Sequence, residues 1–306
     1  MYRKFYGFRE RPFEITPDPN FVYFSEVHQE ALAHLTYAIR EGKGFSVITG
    51  EAGTGKTTLV HVLLSRLEGG VRTSYIFNPI MDRADFLNYI CDDLGIESQG
   101  FKTRGQSLAA LHGFLLGCYE RNEKVFLIID EAQSLDPALL QEVRLLTNFE
   151  TATSKLLHVI LLGQPELDRI LKEARFRPLK QRIAVRFRLR PLKRKETKEY
   201  ILFRLKKAGS KRLKIFDGGA VKEIYRYSRG IPRLINILCD NALLTGFSQE
   251  ENRIGKAIVR DVIKSLEGSE KTGRGKGGAL VIFLLILLVL LLALLFPGPI
   301  FDMWRW

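Results

Sequence analysis

The sequence predicts an α/β fold, in which a parallel sheet is flanked by helices, followed by a small all-α unit and one apolar helix near the C-terminus. Three observations lead to this prediction. Short apolar runs alternate with helical patterns as far as Pro191, and only helical patterns follow, as far as Leu266. Residues 279–296 are apolar without exception. Alternation of strands and helices is typical of a parallel sheet covered by helices.

Short apolar runs are predicted as the strands of this sheet, at residues 45–49, 74–77, 125–129, 157–162 and 185–189. In the last run, Val185, Phe187 and Leu189 alternate with arginines. A period of two indicates a strand with one face in the core and the other in water. Helical patterns lie among these runs, at residues 57–67, 83–94, 108–119 and 137–148. Asp136 and Pro137 suit the N-cap and first turn of the last of these helices.

The helical patterns after Pro191 are predicted as a small all-α unit, with helices at residues 196–208, 219–227, 233–247 and 256–266. Residues 268–278 contain no apolar side chain and are rich in glycine, which is typical of a flexible linker. The predicted organisation is an α/β core at 1–192, a helical lid at 193–267, the linker at 268–278, a transmembrane helix at 279–296 and an extracytoplasmic tail at 297–306.

The apolar segment 279–296 has the length of a membrane-spanning helix. Its eighteen residues would rise about 27 Å as an α-helix, close to the roughly 30 Å hydrocarbon core of a bilayer. A buried core helix is the alternative, but apolar residues on every face beside the C-terminus favour a span. Basic residues precede the segment, and Trp304 and Trp306 follow it. This pattern predicts that the N-terminal side lies in the cytoplasm.

The positive charge is concentrated in one stretch. The chain carries a formal net charge of +13, and residues 175–214 hold seventeen Lys or Arg against two acidic residues, Glu196 and Glu199. This predicts an anionic partner and leaves nucleotide, nucleic acid and lipid headgroups as alternatives. Hydrophobic residues make up 46% of the chain, which excludes global disorder. Three widely spaced cysteines exclude a disulfide scaffold, and with five scattered histidines they give no zinc-site spacing.

Residues 50–57 read GEAGTGKT and fit the pattern GxxxxGK[ST] of a loop that binds nucleotide phosphates. Glycines let backbone N–H groups wrap the phosphates, Lys56 reaches the β- and γ-phosphates, and the Thr57 hydroxyl coordinates Mg²⁺. A chance match in a chain of this length has a frequency on the order of one per cent. The predicted nucleotide-binding residues of this stretch are Gly50, Glu51, Ala52, Gly53, Thr54, Gly55, Lys56, Thr57 and Thr58.

Two acidic residues, Asp130 and Glu131, follow the apolar run 125–129 directly. In a nucleotide site, Asp130 would hold Mg²⁺ through water and Glu131 would polarise the attacking water. Acidic residues at the end of a strand are more often solvated than catalytic. The assignment of Asp130 and Glu131 to a nucleotide site therefore depends on the phosphate-binding pattern in the same chain. The stretch between the two motifs, residues 74–94, leaves room for a strand inserted between them, an arrangement linked to a catalytic glutamate.

Three further residues are weaker candidates. Gln164 ends the run 157–162, so it either lies near the phosphates or is a loop residue before Pro165. Arg182 lies just before the arginine-rich strand, and an arginine supplied in trans can stabilise a transferring phosphoryl group. Its many basic neighbours prevent a choice of Arg182 on chemistry alone. Arg233 begins a lid helix, where it would contact nucleotide or cap a surface.

Together these residues resemble an AAA+ ATPase, and more narrowly the general secretion pathway protein A (ExeA-like) family, including its relatives in pilus biogenesis and in exopolysaccharide and PEP-CTERM loci. The matching segments cover roughly residues 1–266 in the family's order: YGF at 6–8, PFEITPDPNFVYFS at 12–25, GEAGTGKTT at 50–58, LIIDEAQ at 127–133, LLGQPEL at 161–167, LKQRI at 179–183 and GIPRLINILCDNALL at 230–244. Many ATPases share the nucleotide-binding motifs, whereas PFEITPDP and GIPRLIN are more specific.

The resemblance implies a five-stranded AAA+ core with a helical lid, active as a ring or other oligomer with ATP and Mg²⁺. It implies that Arg182 is an arginine finger, Arg233 a lid sensor and Gln164 the first sensor, although many AAA+ proteins carry Asn or Thr at that last position. Longer members of the family carry a periplasmic peptidoglycan-binding domain after the membrane helix. Residues 297–306 follow it here, so direct binding to the cell wall is not expected.

The expected function is therefore that of a membrane-tethered ATPase that helps to assemble or energise a bacterial envelope secretion or export system. The ATPase part would lie in the cytoplasm, anchored once in the inner membrane. Its expected partners are copies of itself, inner-membrane export components and the lipid bilayer. The alternative is a DNA-binding AAA+ ATPase of the transposition-helper type, with nucleic acid neutralising the basic stretch. A third possible function is that of a nucleotide switch that binds ATP without hydrolysing it. The candidate catalytic residue Glu131 argues against this function.

Overall fold

A computed structural model describes residues 1–15, 21–67 and 70–272, and its centre is a five-stranded parallel sheet. The strands are β1 (Phe45–Gly50), β2 (Val71–Ile76), β3 (Lys124–Ile129), β4 (Leu157–Gly163) and β5 (Val185–Leu189). They lie in the order β2-β3-β4-β1-β5, and each neighbouring pair is parallel. The predicted α/β fold with a parallel sheet is confirmed.

Helices cover both faces of the sheet. The helices that precede or connect the strands are α1 (Tyr2–Tyr6), α2 (Glu26–Arg40), α3 (Lys56–Ser65), α4 (Arg83–Asp93), α5 (Arg104–Glu120), α6 (Pro137–Leu146), α7 (Pro165–Ile170) and α8 (Arg177–Lys180). Alternate residues of the central strands enter two cores: Val47 and Ile129 pack with α4, α5 and α6, while Ile48 and Ile128 pack with α2 and α3. This double burial explains why the central strands read as continuous apolar runs.

Helix α2 was not predicted from the sequence. It buries Ala31, Leu35 and Ile39, which recur every four residues, against α3 and β5. This spacing marks an amphipathic helix and is the signal that could have revealed α2. On β5 itself, Arg186 and Arg188 are exposed, as the alternation with period two predicts.

The helical lid consists of α9 (Arg194–Lys207), α10 (Gly218–Ser228), α11 (Pro232–Ser248) and α12 (Lys256–Thr272), in agreement with the helices predicted after Pro191. Its core also contains aromatic side chains from the N-terminus, which are Tyr2, Tyr6, Phe8, Phe13 and Phe21. The predicted boundaries assign these rings to the α/β core. Both faces of the sheet are already covered by helices, so the lid offers the apolar surface that remains for them.

The predicted linker begins inside a helix. Helix α12 runs to Thr272, so the first five residues of the stretch 268–278 are helical and that boundary is corrected. Gly268 costs about 1 kcal/mol in a helix interior, but an established helix propagates through such a residue. The predicted transmembrane helix at 279–296 and the tail at 297–306 lie outside the described residues. Within residues 1–15, 21–67 and 70–272, no helix combines the length and hydropathy that a membrane span needs.

Candidate nucleotide-binding site

The phosphate loop, residues 50–57, connects the end of β1 to the start of α3. Gly53 and Gly55 have φ angles of 79° and 94°, in the left-handed region that favours glycine. A Cβ on Gly53 would also lie 2.6 Å from the Cβ of Arg233. Substitution at these two positions would therefore strain the loop, which is why the pattern needs glycine there.

The N-terminus of α3 presents backbone donors to the cavity above the loop. Gly55 is the N-cap and makes no side-chain capping hydrogen bond. The first N–H groups of a helix have no partner within the helix, and the helix dipole makes this end positive. Such an end binds anions, and phosphate groups in particular.

Lys56 lies at the first position of α3 and is buried, with 6% of its surface exposed. Its Nζ donates to Gly50 O at 2.9 Å and to Glu51 O at 3.2 Å. Burial lowers the pKa of Lys56, while nearby carboxylates, that of Glu131 first, act in the opposite direction. The ammonium thus spans the loop that would hold the β- and γ-phosphates.

Asp130 and Thr57 form the candidate Mg²⁺ site. The Thr57 hydroxyl donates to Asp130 Oδ2 at 2.6 Å, and the Tyr75 hydroxyl donates to the same atom at 3.1 Å. The other carboxylate oxygen, Oδ1, accepts from the backbone N–H of Glu131 at 2.8 Å. A hydroxyl and a carboxylate in contact are oxygen ligands of the kind that Mg²⁺ prefers, so these residues fit the ion. Tyr75 was missed, although it lies within the predicted strand at 74–77.

Glu131 is held by two amide groups. Its Oε2 accepts from Gln164 Nε2 at 3.0 Å and from Gln133 Nε2. Gln133 Oε1 in turn accepts from the backbone N–H of Gln164 at 2.9 Å. Burial alone would raise the pKa of Glu131, but the hydrogen bonds from Gln164 and Gln133 and the charge on Lys56 outweigh it and lower the pKa. Gln133 was missed, because its position two residues after Glu131 has no periodic signal.

Strand order brings these groups together. The inserted strand between β1 and β3 is β4, whereas β2 lies at the edge of the sheet. Residues 74–94, which lie between the two motifs and were predicted to leave room for the inserted strand, therefore do not supply that strand. The carboxyl ends of parallel strands meet at one edge, so Gly50, Asp130 and Gln164 converge from β1, β3 and β4. In open α/β sheets this edge is where ligands bind.

A cavity of about 550 Å³ lies above this edge. Its floor is the phosphate loop with Asp130 and Glu131; the residues around it come from the N-terminal segment and from the lid. This volume is within the range of small-molecule sites, which is roughly 300–1,000 Å³. The cavity is therefore large enough for a nucleotide.

His28 of α2 supports the phosphate loop and was not predicted. It is buried, with Nε2 at 3.0 Å from Thr54 O and Nδ1 at 2.7 Å from Ser25 Oγ. A carbonyl only accepts hydrogen bonds, so Nε2 carries the proton and Nδ1 accepts from Ser25. Burial lowers the pKa of His28, which keeps the ring neutral at neutral pH.

The remaining predicted residues occupy different places. Thr58 lines the cavity, and Thr54 donates from its hydroxyl to Glu51 O at 2.8 Å, which stabilises the loop. Arg233 lines the cavity from the start of α11, and its backbone N–H donates to Gly53 O at 3.4 Å. The two loop residues Glu51 and Ala52 are exposed, and Ala52 also borders the cavity.

Arg182 does not line the cavity. Its Nη1 donates to Thr147 Oγ1 at 2.8 Å, to Asn148 Oδ1 and to Arg144 O at 3.3 Å. These acceptors lie in the last turn of α6 and in the two residues directly after the helix. The structure thus gathers the phosphate loop, the acidic pair, Gln164 and Arg233 in one site, and it does not bring Arg182 there.

A phosphate loop after β1, an acidic pair after β3 and an inserted β4 define a P-loop NTPase of the AAA type. The profile of a family described as "AAA domain" matches residues 39–171. The chain is 40% identical over 283 residues to General secretion pathway protein A of Aeromonas hydrophila, covering 92% of this chain and 51% of that protein. The predicted resemblance to the general secretion pathway protein A family is thereby confirmed. The chain spans about half the length of that relative.

Solved structures share the fold. The Aeropyrum pernix ORC2 protein, in its ADPNP–ADP complexes, superposes with a TM-score of 0.63 at 18% identity, over 84% of this chain and 71% of that one. The structure of Drosophila ORC bound to DNA superposes with a TM-score of 0.60 at 17% identity, over 83% of this chain and 64% of that one. The Thermotoga maritima RuvB Holliday junction branch migration motor superposes with a TM-score of 0.52 at 19% identity, over 79% of this chain and 70% of that one. At these identities the likeness concerns the fold alone.

Proposed function

We propose that this protein binds and hydrolyses ATP with Mg²⁺, and that its cycle supports a bacterial envelope secretion or export system from the inner membrane. The observation that carries the catalytic part is the convergence of Lys56, Thr57, Asp130 and Glu131 at one edge of the sheet, beneath a cavity of nucleotide size. These are the groups that phosphoryl transfer to water needs: a phosphate cradle, metal ligands and a carboxylate.

Each residue has a role in this chemistry. The loop amides and Lys56 bind the phosphates and stabilise their negative charge. Thr57 and Asp130 would hold Mg²⁺, which neutralises charge on the β- and γ-phosphates. Glu131 accepts a hydrogen bond from the attacking water and so orients and polarises it. The amide of Gln164, beside Glu131, is suited to fix the geometry of that water and of the γ-phosphate.

The test of hydrolysis is the Glu131→Gln variant, assayed for phosphate release by the full chain in detergent. Gln keeps the size of the side chain and removes its charge, so ATP binding should persist while turnover falls about 10²–10⁴-fold. Glu120→Gln is the matched control, because Glu120 is exposed at the end of α5. Undiminished turnover by Glu131→Gln would remove Glu131 from the mechanism.

Oligomerisation is proposed from the position of Arg182. A site that binds a triphosphate gains from an arginine that contacts the γ-phosphate. Arg182 does not line the cavity of the chain that carries it, and hydrogen bonds hold its side chain at the end of α6. This position supports a role at the nucleotide site of a neighbouring copy. Arg233, at the edge of the lid, is proposed to contact the nucleotide in its own subunit.

Membrane attachment and a role in secretion complete the proposal. The apolar residues 279–296 support a single inner-membrane span with the ATPase part in the cytoplasm. The similarity to General secretion pathway protein A supports export components as partners. Membrane fractions washed with alkali test the anchor: an integral span stays in the membrane, and release into the wash would contradict it.

The basic stretch 175–214 carries less free charge than its composition suggests. Arg186 pairs with Asp168 at 2.7 Å and Arg190 with Glu196 at 2.7 Å, while Arg204 is buried. The stretch also extends over α8, β5, α9 and the loop after it, so its cations are spread over several elements. This supports solvated and intersubunit contacts over DNA binding. Retention on DNA that falls steeply with salt, at micromolar affinity, would favour the DNA-handling alternative.

A further inference from the structure

The N-terminal segment, of which the structure describes residues 12–15 and 21–25, has no role in the phosphate chemistry described above. Its described parts lie on the cavity: Glu14, Ile15, Phe21, Val22, Tyr23 and Phe24 all line it. A triphosphate bound on the phosphate loop would lie beside Asp130 and Glu131, which line the same cavity. The base and ribose would then extend toward the part of the cavity that this segment and the lid line.

Arg204 of α9 fastens the segment to the lid. It is 7% exposed, and its guanidinium donates to Pro12 O at 2.5 Å, to Glu14 O at 2.9 Å and to Phe21 O at 3.4 Å. The guanidinium carbon also lies 4.8 Å from the centre of the Phe21 ring. The ion pairs found among the described residues do not include Arg204. Backbone carbonyls of this one segment therefore compensate a buried charge, which is costly without partners.

A second lid helix supports the same segment. Asn236 of α11 donates through Nδ2 to Glu14 O at 3.5 Å. The Tyr200 hydroxyl of α9 donates to Asn236 Oδ1 at 2.8 Å and so links the two helices beneath the segment. Glu14 O thus accepts hydrogen bonds from side chains of α9 and α11, two of the lid helices.

We propose that Arg204 is a positioning residue for nucleotide binding. By holding the N-terminal segment against the lid, it shapes the part of the cavity that receives the base and ribose, away from the phosphates. The inference rests on the proposed function, because it requires a triphosphate on the phosphate loop. Arg204 then contributes to the affinity for a nucleoside triphosphate and not to the affinity for the bare phosphate chain.

The test compares two ligands of the full chain in detergent, ATP and inorganic tripolyphosphate, each with Mg²⁺. Arg204→Met should raise the Kd for ATP by at least about tenfold and leave the Kd for tripolyphosphate within about twofold of the wild type. Arg204→Lys keeps the charge but loses the planar fork of donors, so it should also weaken ATP binding. Lys206→Met, on the exposed side of α9, is the matched control and should change neither affinity.

Two outcomes would overturn the proposal. Unchanged ATP affinity in both Arg204 variants would show that the hydrogen bonds from Arg204 to the N-terminal segment are not needed for nucleotide binding. Equal weakening of both ligands, in a variant that unfolds at the wild-type temperature, would place the effect on the phosphate loop instead. Lys56→Ala should lose both ligands, which checks that tripolyphosphate reports on the loop. A wild type that binds neither ligand would refute the proposed function rather than the role of Arg204.

A measurement on the wild type avoids the risk that the variants misfold. ATP should slow amide hydrogen exchange at residues 21–24 more than tripolyphosphate does, because only ATP has a base and ribose to place there. Equal protection by the two ligands would contradict the proposal. Exchange at the start of α3 serves as the internal reference, since both ligands contact that helix through phosphates.

Discussion

The protonation state of Glu131 follows from its neighbours. Amide donors from Gln133 and Gln164 and the charge on Lys56 lower the pKa of this carboxyl against the opposing effect of burial. Glu131 is therefore ionised at neutral pH, as the proposed role of general base toward water requires. The backbone of Glu131 has a left-handed φ of 48°, and its side chain contacts Gln164, which follows β4.

Gln164→Ala should move the acid limb of the kcat profile for ATP hydrolysis to higher pH. Loss of one amide donor destabilises the carboxylate, so the pKa of Glu131 rises and its ionised form is lost earlier as the pH falls. Phosphate release measured from acid to neutral pH checks this. Gln249→Ala, at an exposed glutamine after α11, should leave the profile in place. An acid limb that does not move in Gln164→Ala would contradict the account of Glu131.

Sequence and structure agree on the contiguous parts of the site and differ on the rest. The phosphate loop and the acidic pair are local patterns with a chemical reason for each residue, so they could be predicted. His28, Tyr75 and Gln133 reach the site through the packing of α2, β2 and the turn after β3. Spacing along the chain does not reveal which polar side chain will face a site that other strands build.

At the scale of elements, burial on both faces made the central strands predictable, whereas their order depends on long-range pairing. The apolar runs of β1, β3 and β4 mark buried strands, but only the fold shows that β4 lies between the other two. The run predicted at 74–77 covers only part of β2, because Arg72 and Thr73 at the sheet edge are exposed. Helix α2 and the packing of the N-terminal rings on the lid were likewise missed.

Helix α12 is anchored by one buried carboxylate. Glu223 of α10 is 3% exposed and lies 3.2 Å from Arg260 and 3.7 Å from Lys256, both of α12. Arg226, on its own helix, also contacts it. The cluster therefore joins α10 to α12, the last helix in the described part of the chain.

Glu223→Gln should destabilise the folded chain by about 1–3 kcal/mol, because the amide keeps the shape of the side chain but leaves three cations facing one another. Thermal unfolding of the full chain in detergent measures the change. Asp261→Asn is the matched control on α12, since the Asp261–Lys264 pair is largely exposed and contributes little. Equal unfolding temperatures for Glu223→Gln and the wild type would show that the cluster does not anchor α12.

At the scale of the whole molecule, the proposal joins a nucleotide site, a lid and a membrane segment in one chain that assembles with copies of itself. Lys56 and Glu131 line the cavity, whereas Arg182 does not and donates to Thr147 instead. If Arg182 acts in trans as proposed, hydrolysis depends on contact between copies. A tether that confines the chain to a membrane plane raises the local concentration of those copies.

Mixing Arg182→Ala with Lys56→Ala subunits should restore activity that neither variant has alone. An arginine acting in trans completes a site whose loop is intact, so in an equal, random mixture about a quarter of the interfaces regain both residues. Phosphate release by the mixture measures this. A mixture of Lys56→Ala with Glu131→Gln is the control and stays inactive if both residues serve the same subunit's site. No recovery in the first mixture would contradict a finger in trans.

Calorimetric titration of the purified full chain in detergent with ATP and Mg²⁺ tests the central claim, that the edge of the sheet is a nucleotide site organised around Lys56. The wild type should bind, and Lys56→Ala should bind at least about tenfold more weakly, because a buried charge-assisted contact to the phosphates is lost. Lys43→Ala, at an exposed lysine that precedes β1, should match the wild type. A wild type that gives no binding heat, or a Lys56→Ala variant with wild-type affinity, would contradict the account.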